Sequence, residues 1–332
     1  MKRILVVSST GMGDSLWGSP ALRALKKSFP ETSIDLLALP QWTSLFDHNP
    51  HLASVLSYHP QWGRQLVTAA RLSGRAYDHA LLFHVNKDFR RMLPLLRCSS
   101  FLAHQEFDWL PSISILRFDA RVHGIQRRLE LIKQIGAEPD GSQMELVLSE
   151  EEKEEARLFL TRNGLDRDRS IYLNLGASLP HKRWPVERCL QLTGKILRHT
   201  PCSVLLGGGP EEKPMIDQAL RQFKGDKVAG VCDRPIRANA ALIERAIGLV
   251  TTDTGPMHLG LALKTPTLAL FGPTRPEESG PYQIDPSLCS VIRASSQGTP
   301  LSDRSQNVDF NYFDPISVEV VWEELQKLFR LG

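Results

Sequence analysis

Four stretches of the sequence combine glycine with side chains that could do chemistry, and each follows a short apolar run. In the first, residues 8–15, Gly11 and Gly13 precede Asp14. Glycine permits positive φ and close approach of a ligand to the backbone. Asp14 could act there as a general base or could cap the following helix. The stretch lacks the third glycine of a dinucleotide fingerprint and the Gly-Lys-Ser/Thr of a P-loop, which excludes both motifs.

The second and third stretches place charges beside expected helix starts. Residues 176–185 follow an apolar run and contain Lys182. A cation near a helix start could hold a phosphate, although an ordinary solvated basic loop explains it as well. Residues 207–212 begin with three glycines, which suit close backbone approach, and end with Glu211 and Glu212. Either carboxylate could accept hydrogen bonds from a ribose or could simply begin a helix.

The fourth stretch, residues 253–258, is the most informative. Asp253 or Thr254 is expected to cap a helix that begins near Gly255. The free N–H groups and the dipole of such a helix start form an anion site suited to a diphosphate. His258 follows Thr254 by four residues, which places both on one helical face. A lone helical histidine is usually structural, so its role stays open between packing and phosphate binding.

These stretches need elements to position them, and the chain supplies a repeated alternation of strand, loop and helix. Apolar runs typical of buried parallel strands alternate with helical spacing. The pattern predicts βαβ units in two Rossmann-like, doubly wound parallel-sheet domains that face a central cleft. The strand runs that carry this prediction are Ile4–Val7, Ser33–Leu39, 55–56, 79–83, Ile171–Leu175, 203–206, 249–252 and Thr267–Phe271.

A turn-rich segment around 136–149 predicts the change of domain. The helix after it should begin at Ser149, with Glu152 completing a capping box, and should stop at Asn163-Gly164. We therefore expect domains at 1–148 and 149–314. A final helical segment, 315–332, could pack back on the first domain.

Composition limits the class of protein. The chain has 332 residues and a net charge of +3, with no Lys/Arg block of the kind that binds nucleic acid. Its five cysteines are odd in number and form no C-x-x-C pair, which argues against a disulfide framework or a zinc site and for a reducing compartment. No apolar run approaches the ~18 residues of a membrane span. We expect a cytoplasmic protein.

Taken together, the stretches resemble glycosyltransferase family 9, the heptosyltransferases. The resemblance rests on Ile4–Phe29, Gly176–Pro185, 253–259 and 271–274, in that order and spacing. It implies a GT-B fold with an N-terminal acceptor-binding domain and a C-terminal domain that binds a nucleotide sugar. It also implies inverting transfer of heptose from ADP-heptose to a lipopolysaccharide inner-core acceptor, with no cofactor and no metal.

The resemblance carries over residue by residue. Asp14 matches the proposed general base, and Lys182 matches the lysine near the donor phosphates. Glu212 is slightly favoured over Glu211 as the ribose contact. The remaining site residues are Ser178, Asp253, Thr254, Gly255 and His258 for donor binding, with Gly11 and Gly13 as loop glycines near the cleft.

One segment departs from the family. Members often carry a cysteine after the Gly-Pro-Thr loop, whereas residues 290–311, within the divergent stretch 285–312, have none. This leaves sugar and acceptor specificity open. The expected acceptor is a phosphorylated glycolipid, reached by peripheral contact at the cytoplasmic face of the inner membrane. Alternatives are a GT-B transferase or epimerase using a UDP- or GDP-sugar, or a nucleotide-binding protein without turnover.

Overall fold

The computed structural model describes residues 1–104, 114–119, 122–166, 168–294 and 312–331. Contacts divide the chain into two compact units, Met1–Val147 and Leu148–Gly332. Each unit contains a six-stranded parallel sheet with helices in the connections. The prediction of two Rossmann-like, doubly wound domains is confirmed.

The first unit alternates strands and helices from its first residues. Its elements are β1 (Arg3–Ser8), α1 (Met12–Leu16), α2 (Ser19–Ser28), β2 (Ser33–Ala38), β3 (Ser54–Ser57), α3 (Trp62–Ser73), β4 (Tyr77–His84), β5 (Cys98–Ala103), β6 (Ser114–Ile115) and α4 (Gly124–Lys133).

The strands of this unit pair in the order β3-β2-β1-β4-β5-β6, all parallel. The central strands are buried on both faces, which explains why β1 reads as a continuous apolar run. The strand order reverses between β1 and β4. In open α/β sheets, ligands bind beyond the carboxyl ends of the strands at such a switch point.

The second unit repeats the plan. Its elements are α5 (Glu150–Arg162), β7 (Ser170–Asn174), α6 (Val186–His199), β8 (Ser203–Gly207), α7 (Lys213–Gln222), β9 (Val228–Gly230), α8 (Ile236–Arg245), β10 (Gly248–Thr252), α9 (Gly255–Ala262), β11 (Thr267–Phe271), α10 (Pro276–Ser279), β12 (Cys289–Arg293) and α11 (Val318–Phe329).

The second sheet has the order β12-β11-β10-β7-β8-β9, again all parallel. Its switch point lies between β7 and β10. The expected capping box at the start of α5 is present: the Ser149 hydroxyl accepts from the Glu152 N–H, and the Glu152 carboxylate accepts from the Ser149 N–H. Gly164, just past the end of α5, adopts a φ of 66° as a helix stop requires.

The final helix, α11, packs on α6, β11 and β12. The core of the second unit includes four side chains of this helix, Val321, Trp322, Leu325 and Phe329. The sequence pattern predicts instead a separate segment, 315–332, that could pack back on the first domain. Among the described residues, no helix has the length and apolar character needed to cross a bilayer.

Candidate functional site

The switch point of the second sheet brings a lysine and a carboxylate together. Asp253 follows β10, and Lys182 ends a short 3-10 turn, Pro180–Lys182, in the loop after β7. The Lys182 Nζ lies 3.3 Å from the Asp253 Oδ2. The Ser279 hydroxyl donates to the same carboxylate, at 3.2 Å from each oxygen. A largely buried acid thus holds a quarter-exposed cation beside the start of α9.

The start of α9 has no side-chain cap. Thr254 is the N-cap residue, with extended backbone, but its hydroxyl faces the Thr252 carbonyl and the Thr251 hydroxyl, both at 3.2 Å. Thr254, one of the two residues that the sequence predicts, therefore holds the N-cap position, but its side chain does not cap the helix, and the Asp253 carboxylate is engaged by Lys182. The positive end of the helix dipole, at Gly255, therefore has no capping side-chain oxygen, and the carboxylate that pairs with Lys182 belongs to the residue just before the N-cap.

Two further polar side chains support this site, and the sequence analysis missed both. Asn174, at the end of β7, donates to the Gly176 carbonyl at 2.8 Å and to the Thr251 hydroxyl at 3.2 Å. It thereby ties the carboxyl end of β7 to that of β10. A polar residue ending an apolar strand run was the available signal for Asn174. Ser279, in a short polar helix, carried no comparable signal.

The other predicted donor residues differ in exposure. His258 lies one turn into α9 and is buried, as expected for a residue of a helix whose middle is apolar. Ser178 is exposed in the loop after β7.

Glu212 connects the loops that follow β7 and β8. Its Oε1 lies 2.7 Å from the Arg183 Nη2, and its Oε2 accepts from the Gly209 N–H at 2.7 Å. Arg183 also donates to the Ala177 carbonyl at 3.0 and 3.1 Å. Glu212 is only 5% exposed, whereas the neighbouring Glu211 side chain is 86% exposed. The buried carboxylate therefore fixes the geometry of both loops.

The glycines around Glu212 make room for the protein's own side chains. A Cβ added at Gly208 would lie 2.8 Å from the Glu212 Cβ, and one at Gly176 would lie 2.8 Å from its Oε2. At Gly207 an added Cβ would lie 2.2 Å from the Tyr172 ring. The close backbone approach that the three glycines predict is real, but the approaching groups are Glu212 and Tyr172.

At the switch point of the first sheet, Asp14 lies in the first turn of α1. The Thr10 hydroxyl donates to the Asp14 Oδ2 at 3.1 Å. Gly11 is the N-cap residue, with φ −66° and ψ 171°, and Gly13 lies within α1. Neither glycine has positive φ, so a need for positive φ does not explain why glycine occupies these two positions. Asp14 lies inside the helix and does not occupy the N-cap position.

A buried arginine, missed by the sequence analysis, accompanies Asp14. Arg128 on α4 is 2% exposed, with its Cζ 5.7 Å from the centre of the Trp17 ring and 5.9 Å from that of Phe83. Its Nη1 donates to the Gly124 carbonyl at 2.8 Å. Burial lowers the pKa of Arg128 to about 10, and the charge of Asp14 acts in the opposite direction. The charge of the candidate base therefore acts on a desolvated cation.

The predicted residues thus form two groups, one at each switch point. Lys182, Asp253, Thr254 and Gly255 come together in the second unit, and Asp14 lies with Gly11 and Gly13 in the first. In the described ranges, no group of three or more His, Cys, Asp or Glu side chains is arranged to hold a metal. The divergent stretch 285–312 falls mostly outside the described residues.

Comparison with known proteins identifies a family for this chain. A family model described as glycosyltransferase family 9 (heptosyltransferase) matches residues 92–306. Lipopolysaccharide heptosyltransferase 1 of Escherichia coli K12 is 24% identical over 311 residues, which cover 88% of this chain and 94% of the relative.

Solved structures match over nearly the whole chain. The glycosyl transferase family 9 structure from Veillonella parvula DSM 2008 has a TM-score of 0.84 at 23% identity, covering 99% of this chain and 97% of the other. The E. coli ADP-heptose lps heptosyltransferase II has a TM-score of 0.81 at 22% identity, covering 99% of both chains. These matches confirm the predicted GT-B class.

Proposed function

The chain belongs to glycosyltransferase family 9 and is a glycosyltransferase; we propose that it transfers heptose from ADP-heptose to an inner-core acceptor of lipopolysaccharide, with inversion and without a metal. The observation that carries the proposal is Lys182 beside the uncapped start of α9. The sugar, the nucleotide and the acceptor class are inferred from the lipopolysaccharide heptosyltransferase and the ADP-heptose heptosyltransferase to which the chain is similar.

In this proposal the second unit binds the donor. The diphosphate lies against the Lys182 ammonium and the N–H groups at Thr254 and Gly255, where the helix dipole favours negative charge. These groups stabilise the charge that develops on ADP as the glycosidic bond breaks. No metal is then needed, because a fixed cation and a helix start supply the positive field. Ser178, Glu212 and His258 complete the donor site, and Asp253 holds Lys182 in position.

The first unit binds the acceptor, and Asp14 acts as the base. The acceptor hydroxyl attacks the anomeric carbon as ADP leaves from the opposite face, through a transition state with oxocarbenium character. A carboxylate is a weak base for a free hydroxyl. The proton therefore passes to Asp14 late, when attack has already acidified the hydroxyl. The Thr10 hydroxyl, which donates to Oδ2, orients the carboxylate.

Titration calorimetry with ADP, UDP, GDP and NAD, with EDTA present throughout, tests the donor half of the proposal. We expect binding of ADP alone. A preference for UDP or GDP would replace ADP-heptose by another nucleotide sugar, and loss of ADP binding in EDTA would remove the metal-independent mechanism. If ADP binds, transfer from synthetic ADP-heptose to a lipopolysaccharide acceptor, followed by mass spectrometry, tests the reaction itself.

A further inference from the structure

Helix α3 exposes three large apolar side chains and buries two polar ones. Trp62 and Leu66 are each 43% exposed and Val67 is 55% exposed. At about 100° per residue these three side chains fall within one arc of the helix surface, which we call the α3 face. Large apolar side chains on the helices of soluble proteins ordinarily point to the core. On the α3 face such side chains are exposed to solvent instead.

The opposite side of α3 explains why the helix still packs. Gln65 and Thr68 are buried there together with Ala69 and Leu72. The Gln65 amide donates to the Tyr58 hydroxyl, the Pro60 carbonyl and the Asp88 carbonyl, each at 3.1 Å. The Thr68 hydroxyl donates to the Ser57 carbonyl at 3.2 Å. These hydrogen bonds fix α3 on the unit without use of the α3 face.

The charge beside the α3 face has a single sign. Arg64 and Arg71 lie on α3 seven residues apart, at one border of the face, and the helix contains no acidic residue. Arg64 contacts the His59 Nδ1 at 3.1 Å, and neither arginine forms an ion pair within the described part of the chain. Burial and then the charge of Arg64 lower the pKa of His59.

The neighbouring turn adds positive charge. Residues Lys87–Arg91 form a short 3-10 turn that contacts α3 through the Gln65–Asp88 hydrogen bond. Lys87, Arg90 and Arg91 are exposed, and the single acid, Asp88, lies 3.9 Å from Arg91. This turn is net basic but packs on the buried side of α3, so Arg64 and Arg71 supply the positive charge that borders the α3 face.

We propose that the α3 face docks this protein on an anionic bilayer, with Trp62, Leu66 and Val67 in the interfacial region and Arg64 and Arg71 against lipid headgroups. A short helix with an apolar face, an interfacial tryptophan and bordering arginines has the features of a helix that lies in the membrane plane. Each cation adds attraction to an anionic leaflet. The choice of a bilayer over a protein partner rests on the proposed function, because a glycolipid acceptor is presented by a membrane.

Vesicle flotation with the full-length protein tests this inference. We expect binding to phosphatidylcholine vesicles that contain about 30% phosphatidylglycerol, weak binding to pure phosphatidylcholine, and release by salt. The variant Trp62→Ser/Leu66→Ser should weaken partitioning by at least about tenfold. The variant Arg64→Gln/Arg71→Gln should weaken it by about fivefold per arginine on anionic vesicles.

The control variants carry substitutions of the same types, an apolar residue to serine and an arginine to glutamine, on helices of the second unit. Val320→Ser removes a 45% exposed valine from α11, and Arg221→Gln removes an exposed arginine from α7; neither should alter flotation. All variants should retain ADP binding, so a failure of the donor assignment is separable from a failure of docking. The inference would be overturned if the wild-type protein did not float with anionic vesicles. A dimer in light scattering that only the α3 variants lose would also overturn it, because a second copy would then cover the face.

Discussion

The ion pair between Lys182 and Asp253 makes a quantitative prediction about donor binding. At an effective dielectric constant of ~20, unit charges 3.3 Å apart attract by about 5 kcal/mol before the cost of desolvation. Because Lys182 is a quarter exposed, we expect a net contribution of only about 1–2 kcal/mol. Lys182 is therefore held in place without being neutralised and can still bind a diphosphate.

The substitution Lys182→Ala removes one charge-assisted hydrogen bond, worth about 1.5–3 kcal/mol, from the bound nucleotide. We expect the Kd for ADP to rise about 10- to 150-fold. Asp253→Asn keeps an acceptor for the Ser279 hydroxyl but removes the negative charge beside the diphosphate, so ADP should bind several-fold tighter. Calorimetry of the two single variants and the double variant, at one ionic strength, measures both effects and their coupling.

Lys213 provides the matched control, because its ammonium also pairs with a carboxylate, Asp233, at 2.8 Å. Lys213→Ala should leave the Kd for ADP unchanged. The reasoning is refuted if Lys182→Ala changes the Kd by less than twofold. It is also refuted if Asp253→Asn weakens ADP binding tenfold or more, because Asp253 would then bind the nucleotide and not merely hold the lysine.

Three further predictions concern the rest of the molecule. Asp14→Asn should lower kcat about 10²- to 10⁴-fold in the transfer assay with the Kd for ADP unchanged; near-normal turnover would remove Asp14 from the base role. Gly208→Ala should lower the unfolding free energy by about 1–3 kcal/mol, because the added Cβ would lie 2.8 Å from the Glu212 Cβ. In a Glu212→Gly background, which removes that Cβ, urea titration should show a much smaller loss. Burial raises the pKa of Asp35, but hydrogen bonds from Ser54, Tyr77 and two arginines outweigh it, so the folded pKa is lowered. The stability from this carboxylate is present above the unfolded pKa of about 3.9 and is lost as pH falls through the folded pKa. Asp35→Asn should therefore lower the free energy of unfolding by about 2–4 kcal/mol at pH 7. In urea titrations, the difference in unfolding free energy between the variant and wild type should become smaller below about pH 4.

The strands that the sequence analysis missed are short or partly exposed. It found the central strands because burial on both faces requires an uninterrupted apolar run, as in Ile171–Leu173 of β7. The missed strands are β5, β6, β9 and β12. In β5, β6 and β12, partly exposed faces admit residues such as Ser99, Ser114 and Ser290, and β9 is only three residues long. Polar residues on an outer strand break the apolar run, so local composition does not distinguish such strands from loops.

The sequence by itself determined which residues lie at the ends of the strands, because strand runs, turn glycines and the Ser149–Glu152 capping box are local patterns. The order of these patterns along the chain also carried the family resemblance. Only the tertiary structure decided which side chains these residues contact. Parallel pairing of β7 with β10 brings Lys182 to Asp253 across 71 positions, the packing of α4 places Arg128 beside Asp14, and the burial of Gln65 leaves Trp62 outside. These are non-local contacts whose geometry depends on which faces the folded sheet covers, and no stretch of sequence contains that information.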